Sequence, residues 1–453
     1  MLTNLSVRRE IREFFGLAIP LISAQVAQSA TGFVDTVMMG WLGQEYLAGG
    51  GLAAMTFMLL LVTATGLVVG ISPLITEAYG SGYRARIQKL TGHGIWLTLL
   101  VTLPIMLLLG QIERVIEHLG QSAITVTLAS KFLGIMLWGF LPALMFALLK
   151  SVVSSLSHPK PIMVIVVIGT LFNAIANYIL GFGKLGFPAL GIAGIAWASV
   201  LSQWLMLLAL IIYILKDREL RSYQLFGSLY EFELKTLRDL IKIGSPIAVS
   251  FSLEIGLFTA TTYLMGALGI EVLAAHQIVL QTISLIFMVP LGMSFATTIR
   301  VGQWYGQRNS EGVERAAYVS MWMGGIFMTG TAIILLVFPR SIFSLYLDVD
   351  APENAKVIAL ATSMNSIGAI SQILDGVQTN AAGALRGLQD TRIPMLLSFA
   401  AFWGVGLSSG YFLGFHFGLG GVGLWIGQFL GIAMSAVVFL SRFRQLIRLP
   451  IMP

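Results

Sequence analysis

Three carboxylates, Asp35, Glu254 and Asp375, stand inside long apolar runs, whereas most of the chain's 21 acids lie in loops or at helix ends. An ionised acid at the centre of a membrane-spanning helix costs about 2.5 to 3.5 kcal/mol on insertion scales, so it persists where it faces a cavity, a partner or a bound ion. Each of the three lies on a polar stripe of helical period. Gln25, Gln28, Gly32 and Asp35 share one face, as do Ser250, Glu254, Phe258 and Thr261, and again Asn365, Gly368, Gln372, Asp375 and Thr379. With no Lys or Arg expected at comparable depth, such acids must be protonated or neutralised by a bound cation. Proton or sodium binding is the chemistry they imply, with Asp35, Glu254 and Asp375 as the cation-coupling residues. Glu254 and Asp375 together would offer hard oxygen ligands to a sodium ion. Hydrogen bonding between neighbouring helices is explanation enough for Asn365 or Gln372 taken singly.

An acidic cavity lined by aromatic and thioether side chains favours organic cations, through Coulomb attraction and cation-π contact. Candidate substrate contacts are Asp35, Gln28, Phe33, Met38, Phe258, Phe287, Ser371 and Gln372, with Met39 and Met288 as further lining residues. His276 opens the eighth apolar run and reads as a satisfied structural histidine rather than a proton relay. Glu77, nearer the cytoplasmic end of its run, reads as interfacial. The chain has no cysteine, which excludes disulfides, thiolate metal sites and cysteine nucleophiles. It also lacks a Walker A pattern and His-Glu-x-x-His, and its Gly406-Leu407-Ser408-Ser409-Gly410 lies within an apolar run instead of at the strand-to-helix turn a nucleophile elbow needs, so ATP-driven transport and the common hydrolases lack support, and no cofactor is expected beyond the coupling ion. Energy must then come from an ion gradient.

The elements that position these residues follow from composition. The 453 residues are 57% hydrophobic and 11% charged, with mean hydropathy +0.86, against about 25% charged in ordinary soluble domains. An all-α polytopic membrane protein is the architecture such a chain can adopt, because lipid leaves every backbone polar group to be satisfied internally. Hydropathy predicts twelve spans, at 14–41, 51–79, 90–110, 128–155, 162–182, 189–215, 244–267, 272–305, 316–338, 355–385, 395–415 and 420–440. If both termini are cytoplasmic, 22 of the 27 Lys and Arg fall inside, Lys150 and Arg386 among them. Only Arg114, Lys131, Lys184, Arg340 and Lys356 fall outside, a bias that sets orientation and makes nucleic acid an unneeded explanation of the +6 charge.

The one long polar connection, 216–243, divides an N-lobe (1–215) from a C-lobe (244–453). Its second part, Glu231 to Lys242, has Leu234, Leu237, Leu240 and Ile241 at helical spacing, as a membrane-surface helix would. The plainer reading is a solvated linker helix with no partner. An internal repeat supports two halves. An offset of 226 aligns Pro20 with Pro246, Gly40 with Gly266, Gly43 with Gly269, Gly66 with Gly292 and Tyr79 with Tyr305. Later, Leu156 to Lys160 aligns with Leu388 to Arg392. Six spans per half is an even number, so the lobes are expected to be related by a pseudo-two-fold axis along the membrane normal, with a cleft between them. The repeat places Asp35 on Thr261, Glu254 on Gln28 and Asp375 on Ala143, so the acids are asymmetric.

Gly32-Phe33-Val34-Asp35-Thr36-Val37-Met38-Met39-Gly40, Ala274-Ala275-His276-Gln277, Arg300-Val301-Gly302 and Gly383-Ala384-Leu385-Arg386-Gly387 together resemble the multidrug and toxic compound extrusion (MATE) family, in particular its NorM-type branch. The resemblance covers nearly the whole chain. It implies a MATE fold in a cell inner membrane and cation-coupled antiport by alternating access, exporting amphipathic, often cationic drugs, from a monomer in contact with membrane lipid. It implies that Asp35 serves proton coupling and drug binding, and that Glu254 and Asp375 serve cation binding. NorM-type proteins can carry Tyr where this chain has Phe287 and again where it has Ser371, one turn before Asp375. Three rival functions have requirements of their own. A lipid-linked precursor flippase needs a basic cavity for a diphosphate. An intramembrane aspartyl protease needs a Gly-x-Gly-Asp context that Asp35 and Asp375 lack. A passive channel would be excluded by uphill transport.

Overall fold

The computed structural model describes residues 4–111 and 123–448; Arg114, assigned to the outside by the charge count, lies outside the described residues. All regular structure among the described residues is helical. Among the described residues, twelve helices are long and apolar enough to cross a membrane: α1 Ser6–Leu42, α2 Gln44–Gly80, α3 Arg84–Leu109, α4 Ala123–Ser155, α5 Pro159–Phe182, α6 Ile192–Lys216, α7 Leu234–Ala267, α8 Ile270–Gly306, α9 Ser310–Val337, α10 Pro352–Gly387, α11 Arg392–His416 and α12 Gly420–Arg448. The fold is that of an all-α, multi-pass membrane protein. Several helices exceed the ~20 residues a bilayer requires. The excess matters, because it carries residues that hydropathy left in loops into the helices.

Two regions differ from the sequence expectation for a clear reason. The apolar positions Leu234, Leu237 and Leu240 stay in phase with the run beyond them, so they form the first turns of α7 rather than a separate surface helix. Leu237 and Leu240 are buried. The linker ahead of them is docked, not solvated without a partner. Lys89, His93 and Trp96 lie along one face of α3 and receive it: His93 Nε2 accepts from the Glu233 amide at 2.8 Å, and Trp96 Nε1 donates to the Leu229 carbonyl at 2.9 Å. Its start is fixed by Asp217, whose carboxylate accepts from the Glu219 and Leu220 amides at 3.0 and 2.9 Å and so caps the short helix Arg218–Ser222.

Packing divides the chain into two compact units, Ser23–Ala248 and Met1–Ile22 with Val249–Pro453. The first turns of α1 thus group with the C-terminal half, and the first turns of α7 with the N-terminal half. The two breaks are 226 residues apart, the offset of the repeat. In the first unit α7 begins against the bend of α2, where a Cβ on Gly70 would collide with Gly244. In the second, Phe14, Leu17, Ala18 and Leu21 of α1 pack on Met293, Ala296 and Ile299 of α8. There Glu10, 2% exposed, accepts from Arg300 at 2.7 and 2.9 Å and from Trp304 at 3.1 Å.

The repeat extends to the backbone. Gly43 and Gly269 both take positive φ (134° and 126°), as do Gly82 and Arg308 (71° and 56°) and Ser157 and Gln389 (66° and 62°). Matching left-handed turns therefore join equivalent helices in both halves. α11 departs from regular α geometry, with π-helical turns at Phe399–Leu407 and Phe412–His416. Its Gly406, Gly410 and Gly414 meet Gly431, Gly427 and Gly423 of α12 so closely that a Cβ at Gly427 would enter the Gly410 backbone.

Candidate functional site

Within the unit Ser23–Ala248, Asp35 is held by neutral donors from two other helices. Asn177 Nδ2 on α5 donates to Oδ1 at 2.5 Å, and Ser199 Oγ on α6 donates to Oδ2 at 3.0 Å. Asn173 supports both, donating to Ser199 Oγ at 3.0 Å and accepting from Asn177 at 3.1 Å. No Lys or Arg is among these partners. Asp35 itself stays half-buried, and the network fixes the orientation of its carboxylate. Asn173 and Asn177 were missed from sequence. Their signal was an i, i+4 pair of amides in an otherwise apolar run, the spacing that puts both on one helix face.

The second unit brings Glu254 of α7 and Asp375 of α10 within electrostatic range of each other. Thr379 Oγ1 donates to Asp375 Oδ1 at 3.3 Å. The expectation that no basic residue reaches this depth is corrected here. α10 runs to Gly387 instead of ending at 385, so Arg386 belongs to the helix and acts electrostatically on Glu254. Its guanidinium donates to Ser294 Oγ at 2.5 Å and lies over the rings of Phe251 and Phe295 at 6.0 and 5.9 Å. Counting both acids as ionised, the cluster carries one net negative charge. A single monovalent cation neutralises it, and the oxygens of Glu254, Asp375 and Thr379 are hard donors of the kind sodium takes.

The same correction applies in the first unit. Lys150 is part of α4, and its Nζ donates to Gln25 Oε1 at 3.3 Å and Gln28 Oε1 at 3.2 Å. The predicted polar face of α1 therefore meets a cation at Gln25 and Gln28 and carries the acid Asp35 two turns beyond Gln28.

The remaining candidates separate by exposure. Phe33 is 71% exposed, while Met38, Phe258 and Phe287 are half-buried. Ser371 and Gln372 are enclosed in the helix packing, and Gln372 Oε1 has no hydrogen-bond partner among the described residues. Met39 is core, packed against Gly50. Asn365 donates to the Leu335 carbonyl at 2.8 Å, joining α10 to α9. His276 is buried with Nε2 3.0 Å from Thr262 Oγ1, and Glu77 accepts from Arg86 at 2.8 Å.

The MatE family model matches residues 20–179 and again 246–412, two segments whose starts are one repeat apart. A Synechocystis sp. protein named Probable multidrug resistance protein NorM is 47% identical over 98% of this chain and 97% of its own length. A protein of the same name from Mesorhizobium japonicum is 38% identical over 96% and 94%. Among solved structures, a mutant of the Vibrio cholerae MATE transporter VcmN superposes with TM-score 0.89 at 18% identity, covering 98% of each chain. The eukaryotic MATE transporter AtDTX14 gives 0.85 at 22% identity, covering 98% of each.

Proposed function

The chain belongs to the MatE family, and on that premise we propose that it exports amphipathic organic cations in exchange for sodium ions or protons. It is a multi-pass membrane transporter of the multidrug class and not an enzyme. The observation that carries the coupling reading is that Glu254 and Asp375 act on each other while one basic side chain, Arg386, acts on Glu254, which leaves the pair one positive charge short when both acids are ionised. One net negative charge is a site for one monovalent cation, and a carboxylate without its own counter-ion is costly inside a bilayer. Loading the site removes that cost and unloading restores it, so the ion gradient biases the equilibrium between conformations that bind the ion differently. Asp35 supplies the second half of the exchange, a carboxylate already oriented by Asn177 and Ser199 for an organic cation or a proton. The bias of Lys and Arg supports an inner-membrane location with both termini cytoplasmic.

Ethidium efflux from proteoliposomes tests the reading, with a sodium or a proton gradient imposed separately. Uphill efflux driven by one of them is expected, and Asp35→Asn, Glu254→Gln and Asp375→Asn should each lose it. Efflux that follows only ethidium's own gradient would leave a passive pathway in place of an antiporter.

A further inference from the structure

His276 is only half satisfied. Thr262 Oγ1 donates to the Phe258 carbonyl at 2.8 Å, so toward the imidazole, 3.0 Å away, it is an acceptor and His276 Nε2 carries the hydrogen. Nδ1 is then a bare acceptor, buried and without a hydrogen-bond partner among the described residues. Five further side chains of the second unit share this condition: Asn365 Oδ1 and Gln372 Oε1 on α10, and Trp425 Nε1, both amide atoms of Gln428 and Ser435 Oγ on α12. Each of these residues is at most 4% exposed. An unpaired polar group at such burial costs about 1 to 3 kcal/mol, and buried water is what ordinarily removes that cost.

Packing puts these groups on one seam. A Cβ on Gly421 would meet Met364, and one on Gly368 would meet Trp425, so α10 and α12 run in the same direction in a constant register. Gln372 and Asp375 follow Gly368 on the same face of α10, and the register sets Gln428 level with Ser371 and Gln372. The ring of Trp425 lies 5.7 Å from that of His276. The unpaired atoms thus lead from His276, near the turn between α7 and α8, toward Asp375. From Gly368 to Asp375 the helix rises about 10 Å, a length that about three or four waters cover at hydrogen-bond spacing. Donors (Trp425, Gln428) and acceptors (Asn365, Gln372, Gln428) are both present, as water requires.

The other half has no such seam. By the repeat, Asn365, Gln372 and Asp375 align with Leu133, Phe140 and Ala143, and His276 with Gly50. Pairing Gly191 with Gly418 aligns Trp425 and Gln428 with Ala198 and Leu201. The shared scaffold therefore does not demand polar groups here; they accompany the acid of α10.

We propose that the seam between α10 and α12 holds a file of bound water that carries protons between His276 and Asp375. Half-buried Thr262 is the neighbour through which the imidazole receives them. The ring gains a proton at one nitrogen and releases the one on the other. Each water accepts one proton and passes one on, and a carboxylate oxygen of Asp375 takes the last; release is the same sequence reversed. The proposal rests on the antiport reading and names the proton as an ion that reaches the acidic cluster.

Two measurements on the full chain test it. X-ray radiolysis makes hydroxyl radicals from water bound beside a side chain, so buried Trp425 should be labelled in nanodiscs, whereas Met39, buried in the other half, should not. Gln428→Leu should remove the label. Trp425 labelled no faster than Met39 overturns the water file. In proteoliposomes under a proton gradient, Gln428→Leu should slow ethidium efflux about tenfold, the worth of one hydrogen bond along the path, with Tm and the equilibrium Kd for ethidium at their wild-type values. Gln428→Asn, which keeps the amide, should retain most of the rate. His276→Gln can still donate to Thr262 but cannot relay, and should be slow as well. Wild-type rates in both Gln428→Leu and His276→Gln overturn the relay. Wild-type efflux driven by sodium alone removes the proton assignment and leaves the antiport reading standing, whereas efflux driven by neither gradient sinks both.

Discussion

The two halves of this chain share a scaffold and differ in charge. Equivalent left-handed turns recur at Gly43 and Gly269 and at Ser157 and Gln389, and equivalent first turns of α1 and α7 cross between the compact units at residues 22 and 248. At the aligned positions Gln28 and Glu254, however, one half has an amide against Lys150 and the other an acid in range of Arg386. Where packing sets the requirement, the repeat is kept. Where a side chain meets a charge, it is not. The contrast is one of electrostatics: two acids share one basic side chain in the C-terminal half, whereas amides meet the cation in the N-terminal half.

The sharpest way to break this contrast is to remove the acids of the negative cluster one at a time. Asp375→Asn and Glu254→Gln should both reduce gradient-driven ethidium efflux at least ~100-fold, but only Glu254→Gln strands Arg386. That variant is expected to lose on the order of 3 kcal/mol of stability, read as a lowered Tm, while Asp375→Asn holds the wild-type value. Equal Tm values would mean that Glu254 does not neutralise Arg386.

A second comparison concerns how the crossing helices are anchored. Glu10 is buried with Arg300, so Glu10→Gln should destabilise by about 3 kcal/mol in thermal unfolding. The α7 anchor, Lys89 with Glu233, is exposed at both side chains (39% and 43%), and Glu233→Gln should leave Tm unmoved. In the N-terminal half, Asn177→Leu removes one donor from Asp35 and should lower efflux about tenfold.

The smallest effect lies in the linker. Backbone donation from Leu220 is the main cause holding the Asp217 carboxyl below the usual carboxylate range. A depressed pKa means that the stabilisation is present above the ordinary value of about 3.9 and is lost as pH falls through the lowered one. Hydrogen exchange in the helix Arg218–Ser222 should therefore quicken in strong acid. Asp217→Ala should produce the same change at neutral pH, worth about 1 kcal/mol.

The twelve spans, the two halves and the three acids were legible because each is a local property: hydropathy over a window, self-similarity at fixed offset, and charge inside an apolar run. Lys150 and Arg386 were misread for a related reason. Charge counting assigns a basic residue near a span's end to the cytoplasm, yet a long side chain can turn along its helix toward a polar face, and α10 outlasts its hydropathy window. Asn173 and Asn177 went unnoticed because amides in membrane helices so often serve packing that type and spacing alone cannot separate the two uses.

By itself the sequence determined what is additive along the chain: an all-helical membrane protein, duplicated, with its costly acids at 35, 254 and 375. Tertiary structure decided which of those acids have company. Which polar groups surround a buried charge depends on contacts between helices more than a hundred residues apart, such as Asp35 with Asn177 and Lys150 with Gln28. No window of sequence contains both partners, so only the packing of distant helices decides which groups each buried charge meets.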